Sequence, residues 1–280
     1  MTQLGTFNQL QIIRTADQGV YLDGGELGDI LLPRRHVPAQ AKPGDTLDVF
    51  LYNDSDNRII ATTEQPKAVV GQCAYLELLA VNKVGAFFDW GLPKDLLVPY
   101  AEQGFRMNVG HFYIVYLYQN KASGRLVGST KLSKYLNEYS DNYKPKQAVE
   151  LLICGRSELG YKAVINNSHL GLIHHSDVYK PVKLGQRLRG YIKAIREDGK
   201  INLCLTLANK QQLGELAEKV LQDLKDNGGQ SNLTDSSPPK AIYDRWHVSK
   251  GSYKKALGAL YKQRLIQISP QQISLVETDD

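Results

Sequence analysis

The sequence predicts a mainly β chain with an α+β C-terminal domain, and three observations predict it. Landmark residues recur at fixed offsets in three successive blocks. Within each block apolar and polar residues alternate with period two, entered through glycines. After Leu207 the period changes to that of a helix.

The repeat is clearest around Asn82-Lys-Val-Gly-Ala-Phe-Phe-Asp-Trp-Gly91, followed by Asp95-Leu-Leu-Val-Pro99. Pro99 lies 14 residues after Gly85 and Gly110 lies 25 after it. Gly19, Pro33 and Gly44 keep those offsets in the first block, and Gly160, His174 and Gly185 keep them in the third. Each block closes with a basic residue leading into an apolar run: Arg58, Arg125 and Lys200. Alternation over Val20-Tyr-Leu-Asp23 and Ala86-Phe-Phe-Asp-Trp90 fits strands of a strongly curved barrel, with the glycines as hinge points. About five strands in about 60 residues is the size of an OB-type barrel.

In the first block strands are expected at Gly5 to Arg14, Gly19 to Asp23, Asp29 to Pro33, Asp45 to Tyr52 and Arg58 to Thr62. Asn53-Asp-Ser-Asp-Asn57 has the composition of a turn, because Asn and Asp side chains bond their own backbone. Gln119 to Gly124 takes the same place in the second block, and Glu197-Asp-Gly199 is a tight hairpin turn in the third. Leu132 to Asn142 reads as a short helical connector.

Beyond the blocks, Leu213, Leu216, Val220, Leu221 and Leu224 share a helix face, and Asn227-Gly-Gly229 stops that helix. Asn227 to Ser237 reads as a polar linker or flexible loop. Pro238-Pro239 open a second helix through Trp246. Ser249 caps a third, whose buried stripe is Tyr253, Ala256, Leu257, Leu260 and Tyr261. A closing hairpin of Leu265 to Ile268 and Ile273 to Val276 completes the pattern of a winged helix-turn-helix with Ser249 to Arg264 as recognition helix. The expected order is therefore three tandem five-stranded OB-type barrels, at 1–65, 66–143 (with the connector) and 144–210, then a winged-helix domain at 211–280.

The chain has 280 residues, 42% of them apolar, enough for several small cores. It has neither a long apolar run nor the basic-then-apolar start of a signal peptide, so a soluble cytoplasmic protein with no membrane partner is expected. Cys73, Cys154 and Cys204 lie in separate strand-like runs and read as small core residues. The net charge is +5, but residues 1–65 hold 5 basic against 9 acidic side chains while residues 144–210 hold 12 against 5. That local excess points to an anionic partner for the second half of the chain.

The second block resembles the S-one RNA-binding domain, an OB-type module marked by Gly-Ala-Phe between apolar residues and a later Gly-Leu-Val-His element. Here these are Val84-Gly-Ala-Phe87-Phe88 and Leu96-Leu-Val-Pro99. The third block keeps Gly171-Leu-Ile-His174 and Ser176 but has Lys162 where the family has an aromatic. The first has Tyr21 at that place and Pro33 for the histidine. Three such domains before a winged helix resemble the conserved virulence factor B family, a bacterial group of RNA-binding proteins. The resemblance implies single-stranded RNA as partner and a post-transcriptional part in gene expression.

Physical chemistry supports the same partner, because aromatic rings on an OB face stack on unpaired bases while Lys and Arg follow the phosphates. The candidates are Tyr21 with Arg34 and Arg35, Phe87, and Lys162 with His174 and Lys193. One of Phe87 and Phe88 must point into the barrel, and Tyr21 has covering the apolar edge as its plainer part. Lys250, Lys254 and Lys255 are the candidates on the recognition helix, with DNA or a protein as its alternative partner. His174 and His175, adjacent on a strand, point to opposite faces and cannot easily share a metal. Neither a phosphate loop, nor a dinucleotide fingerprint, nor a nucleophile elbow occurs, so no enzyme and no cofactor are expected. The competing reading is a DNA-binding transcription regulator acting through the winged helix.

Overall fold

The computed structural model describes residues 1–140, 142–178, 182–207 and 210–276. The chain divides into two compact units, Met1–Leu136 and Asn137–Asp280. In the first unit β1 (Phe7–Ala16), β2 (Gly19–Asp23), β3 (Asp29–Pro33), β4 (Thr46–Asn53) and β5 (Ile59–Thr62) close into a barrel, ordered β1-β2-β3-β5-β4. β6 (Cys73–Asn82), β7 (Gly85–Asp89), β8 (Leu96–Pro99), β9 (Phe112–Gln119) and β10 (Leu126–Ser129) follow the same course but form no ladder between β8 and β10. The second barrel is therefore nearly closed, its β8 and β10 meeting through side chains without a ladder: a Cβ on Gly128 would lie 2.9 Å from Val98 and 3.2 Å from Leu96. In the second unit β11 (Ala148–Ser157), β12 (Gly160–Ile165), β13 (His169–His174), β14 (Arg187–Ile195) and β15 (Ile201–Cys204) close fully.

The recurring offsets have a geometric cause. Gly19 faces Pro33, Gly85 faces Pro99 and Gly160 faces His174 across the β2–β3 pair or its counterparts, so the 14-residue spacing is a cross-strand register. All three glycines have φ between +153° and +156°. A Cβ there would lie 2.0, 2.4 and 2.0 Å from the carbonyl oxygens of Leu32, Val98 and Ile173. Only glycine fits so close an approach. Gly44, Gly110 and Gly185 each donate their amide to the carbonyl of Ile12, Leu78 or Ile153, the residue at which the first strand of each barrel bulges. The bulge sharpens the curvature that closes so small a sheet.

The first barrel has its own core around Ile12, Leu22, Ile30, Leu32 and Leu51, and the opposite face of β4 joins the core of the second barrel. Phe50 and Tyr52 of β4 are buried with Trp90, Leu96 and Val115 of the second barrel, and both their rings meet Trp90 edge-on. The third barrel has its own core around Leu151, Ile173, Ile192 and Leu203.

Helices α1 (Lys210–Asp226), α2 (Pro239–Trp246) and α3 (Lys250–Lys262) pack around Leu216, Val220, Leu224, Ile242, Tyr253 and Leu257, so α1 belongs to the winged-helix core. Ser249 Oγ accepts from the Ser252 amide at 3.1 Å, the expected cap.

Four expectations need correction. Asn227 to Ser237 is no loose linker: β16 (Gln230–Ser231) pairs with β18 (Ile273–Leu275), which also pairs with β17 (Ile266–Ile268), and Thr234 is buried. Leu132 to Asn142 is helical only as a 3-10 turn at Leu132–Lys134, because Asn137 and Tyr139 instead bridge to His169 and Lys200 of the third barrel; Asp141 lies outside the described residues. Tyr261 leaves the buried stripe and is 57% exposed, since it turns away from the side of α3 that meets the core. Of the three cysteines, Cys154 is half-buried rather than a core residue.

Candidate nucleic-acid interface

On the third barrel, β12, β13 and β15 lie side by side, in register Lys162↔Leu172↔Asn202. Over them opens a cleft of about 610 Å³ with a floor of Leu170, Leu172 and Ile201 and a basic rim of Lys162, Arg196 and Lys200. Lys162 is exposed, and His174 Nε2 lies 3.3 Å from Asn202 Oδ1 on the same wall. Glu138 and Glu158 join the rim, so the cleft is not uniformly positive. An apolar floor with cations around it is the surface that an unpaired base and its phosphate require.

Lys193 is differently employed. Its ammonium donates to both carboxylate oxygens of Asp177, at 2.9 and 2.7 Å, and the Asp177 side chain is only 9% exposed. Lys193 therefore neutralises a buried charge while its side chain stays 47% exposed. Asp177 was not anticipated, and neither were its counterparts. His36, Glu102 and Asp177 are the third residues of 3-10 turns, each 7% exposed. All three stand 17 residues after the reference glycines, so the signal lay in the repeat itself: a polar side chain at one fixed offset. Glu102 is bound by Lys134 and by the Tyr135 hydroxyl. Burial raises its pKa, but hydrogen bonds from Lys134, Ser129 and Tyr135 outweigh that and hold it below the usual range. For His36, burial lowers the pKa and Arg35 adds to that, against the pull of Glu64.

In the second barrel Phe88 is wholly buried in the core, whereas Phe87 is half-buried on the outer face. In the first, Tyr21 already carries the Arg14 guanidinium 3.6 Å above one ring face and accepts a hydrogen bond from Gln18. Arg34 is exposed, while Arg35 donates to His36 Nε2 at 2.9 Å.

On α3, Lys250 donates to the Ser236 carbonyl and Lys254 lies 3.4 Å from Asp235, which leaves Lys255 as the freer of the three. The first turn of α3 abuts the third barrel: a Cβ on Gly251 would stand 3.8 Å from Asp177 Oδ1. The Asp177 carboxylate thus sits at the positive end of α3.

These features define a class: OB-type barrels in series, ending in a winged helix. Residues 4–64 match the S1 domain and residues 218–275 the CvfB-like winged helix domain, both nucleic-acid-binding types rather than catalytic families. The chain is 23% identical to conserved virulence factor B of Staphylococcus haemolyticus over 98% of its own length and 95% of the relative's. It is 27% identical to the uncharacterised protein YitL of Bacillus subtilis, over 90% and 87%. A solved Streptococcus pneumoniae structure, described as a multidomain protein with nucleic acid binding domains, is 27% identical and covers 98% of both chains, with a TM-score of 0.41. The chain is thus similar to the conserved virulence factor B family along nearly its whole length.

Proposed function

We propose that this protein binds single-stranded RNA without catalysis, as a cytoplasmic post-transcriptional regulator of gene expression. The observation that carries this reading is the third-barrel cleft, where Lys162, Arg196 and Lys200 surround an apolar floor on the strand face of an OB-type barrel. The charge excess of residues 144–210 supports it, as do the S1 and winged-helix matches. No described helix is long and apolar enough to cross a membrane.

The competing reading, a regulator that inserts α3 into duplex DNA, is disfavoured by where α3 begins. Recognition helices present their N-terminal residues to base edges. Here that end lies against Asp177 of the third barrel, and Lys250 and Lys254 are engaged within the domain. A titration of the whole chain with single-stranded RNA, single-stranded DNA and duplex DNA at one salt concentration separates the readings. Tightest binding to single-stranded RNA is expected; preference for the duplex would overturn it.

A further inference from the structure

The β13–β15 ladder of the third barrel begins only at the pair Gly171 and Ile201. Ahead of it the two strands are joined by residues 137–140, which precede the barrel in the chain. Asn137 donates its amide to the Ser168 carbonyl at 3.0 Å and accepts from the Leu170 amide at 2.8 Å, and Ser140 donates to the Gly199 carbonyl at 3.2 Å. Bridges pair Asn137 with His169 and Tyr139 with Lys200. The four residues are therefore a strap fastened at both ends across the gap where β13 and β15 part, with Glu138 between the fastenings.

Glu138 stands where it works against the cleft. Its neighbours around the same space are Lys162, Arg196 and Lys200. Among the described residues Glu138, Lys162 and Lys200 take part in no ion pair, and Arg196 holds Asp198 of its own turn at 3.3 Å. The carboxylate thus gains no close partner on the rim, while its field lowers the positive potential that a phosphate meets there. The strap is also lightly held. Asn137, Glu138 and Tyr139 are exposed, and Ser140 alone of the four is buried. The Tyr139 ring rests on Gly199 yet stays 57% exposed. A few backbone hydrogen bonds with little buried apolar surface mark a segment that opens at low free energy.

We propose that residues 137–140 are an autoinhibitory strap, whose Glu138 carboxylate opposes phosphate at the third-barrel cleft and which single-stranded RNA releases on binding. The strap rests on the reading of that cleft as the RNA site. Phosphates that enter it repel Glu138, so the strand binds the released state better and shifts the chain toward it. A ligand with little charge gains too little to do so, and the strap reserves the cleft for a polyanion.

The test is a titration of the full-length chain with labelled oligouridylate, followed by anisotropy at several salt concentrations. Glu138→Gln should bind about threefold more tightly than wild type at low salt, and the gain should fade as salt is raised. Glu150→Gln is the control, since Glu150 is exposed on β11 outside the cleft and the change in net charge is the same. Both side chains are exposed, so both variants are expected to fold, which thermal unfolding checks. In hydrogen exchange read by mass spectrometry, the Asn137, Ser140 and Leu170 amides should exchange faster once oligouridylate is bound. Equal or weaker binding by Glu138→Gln, an equal gain with Glu150→Gln, or unchanged or slower exchange of those amides in the complex would each overturn the strap while leaving the proposed function standing. Absence of oligouridylate binding by the wild-type chain and by Glu138→Gln alike would overturn the function itself.

Discussion

Phe87 and Phe88 are neighbours on β7 with opposite fates, because successive side chains on a strand point to opposite faces. The sequence required one of them to face inward, and the alternation into Trp90, also buried, identifies Phe88. Phe88→Ala should cost about 3–5 kcal/mol of unfolding free energy. Phe87→Ala should leave unfolding nearly unchanged and weaken RNA binding by about 1–3 kcal/mol, as titration would show. Glu102 was not legible in this way, since an acidic residue after Pro99 and Tyr100 looks like surface until the third position of the 3-10 turn is seen to point inward. Its folded pKa is depressed, so its stabilisation is present above the ordinary glutamate value of 4.5 and lost as pH falls through the lower folded value. In urea unfolding, Glu102→Gln should be less stable than wild type at neutral pH, and the gap should narrow on acidification.

Among elements, the strands of the barrels were legible because their spacing is enforced by contacts that only glycine permits. Gly160→Ala should therefore destabilise the third barrel by well over 1 kcal/mol, about the most that glycine in a compatible position gains from alanine. In α1, a Cβ on Gly214 meets nothing within 4 Å, and Gly214→Ala should stabilise by about 0.5–1 kcal/mol. Thermal unfolding of the two variants should shift in opposite directions. β16 was illegible for the converse reason. Two residues following Asn227-Gly-Gly229 carry no periodicity, and only pairing with β18 makes them a strand. The connector failed because backbone bonds to the third barrel, from Asn137 to Ser168 and from Ser140 to Gly199, outweigh a weak helical preference.

For the molecule as a whole, charge was readable by segment but not by partner. The excess on residues 144–210 is real, yet Lys193 is spent on Asp177. A fragment of residues 137–280, one of the two compact units, should keep most of the salt dependence of RNA binding. Replacing Lys162 and Lys200 together by Ala should lower the slope of log affinity against log salt by about 1–1.5. Lys193→Ala should leave that slope nearly unchanged and instead cost about 1–3 kcal/mol in chemical unfolding, because a buried carboxylate loses its partner. A fall in slope with Lys193→Ala alone would return that residue to the interface.

The missing ladder in the second barrel also sets a clock. Strands whose edges are not tied to a neighbour open at lower free energy than those sealed on both sides. In heavy water, amide protons along β8 and β10 should accordingly be replaced sooner than those along β13 and β15, with Leu126, which Asn53 holds, lagging behind the rest of its strand. Three copies of one design would then give up their hydrogen in sequence, and the middle copy, enclosed in the chain between the other two, would be the first to do so.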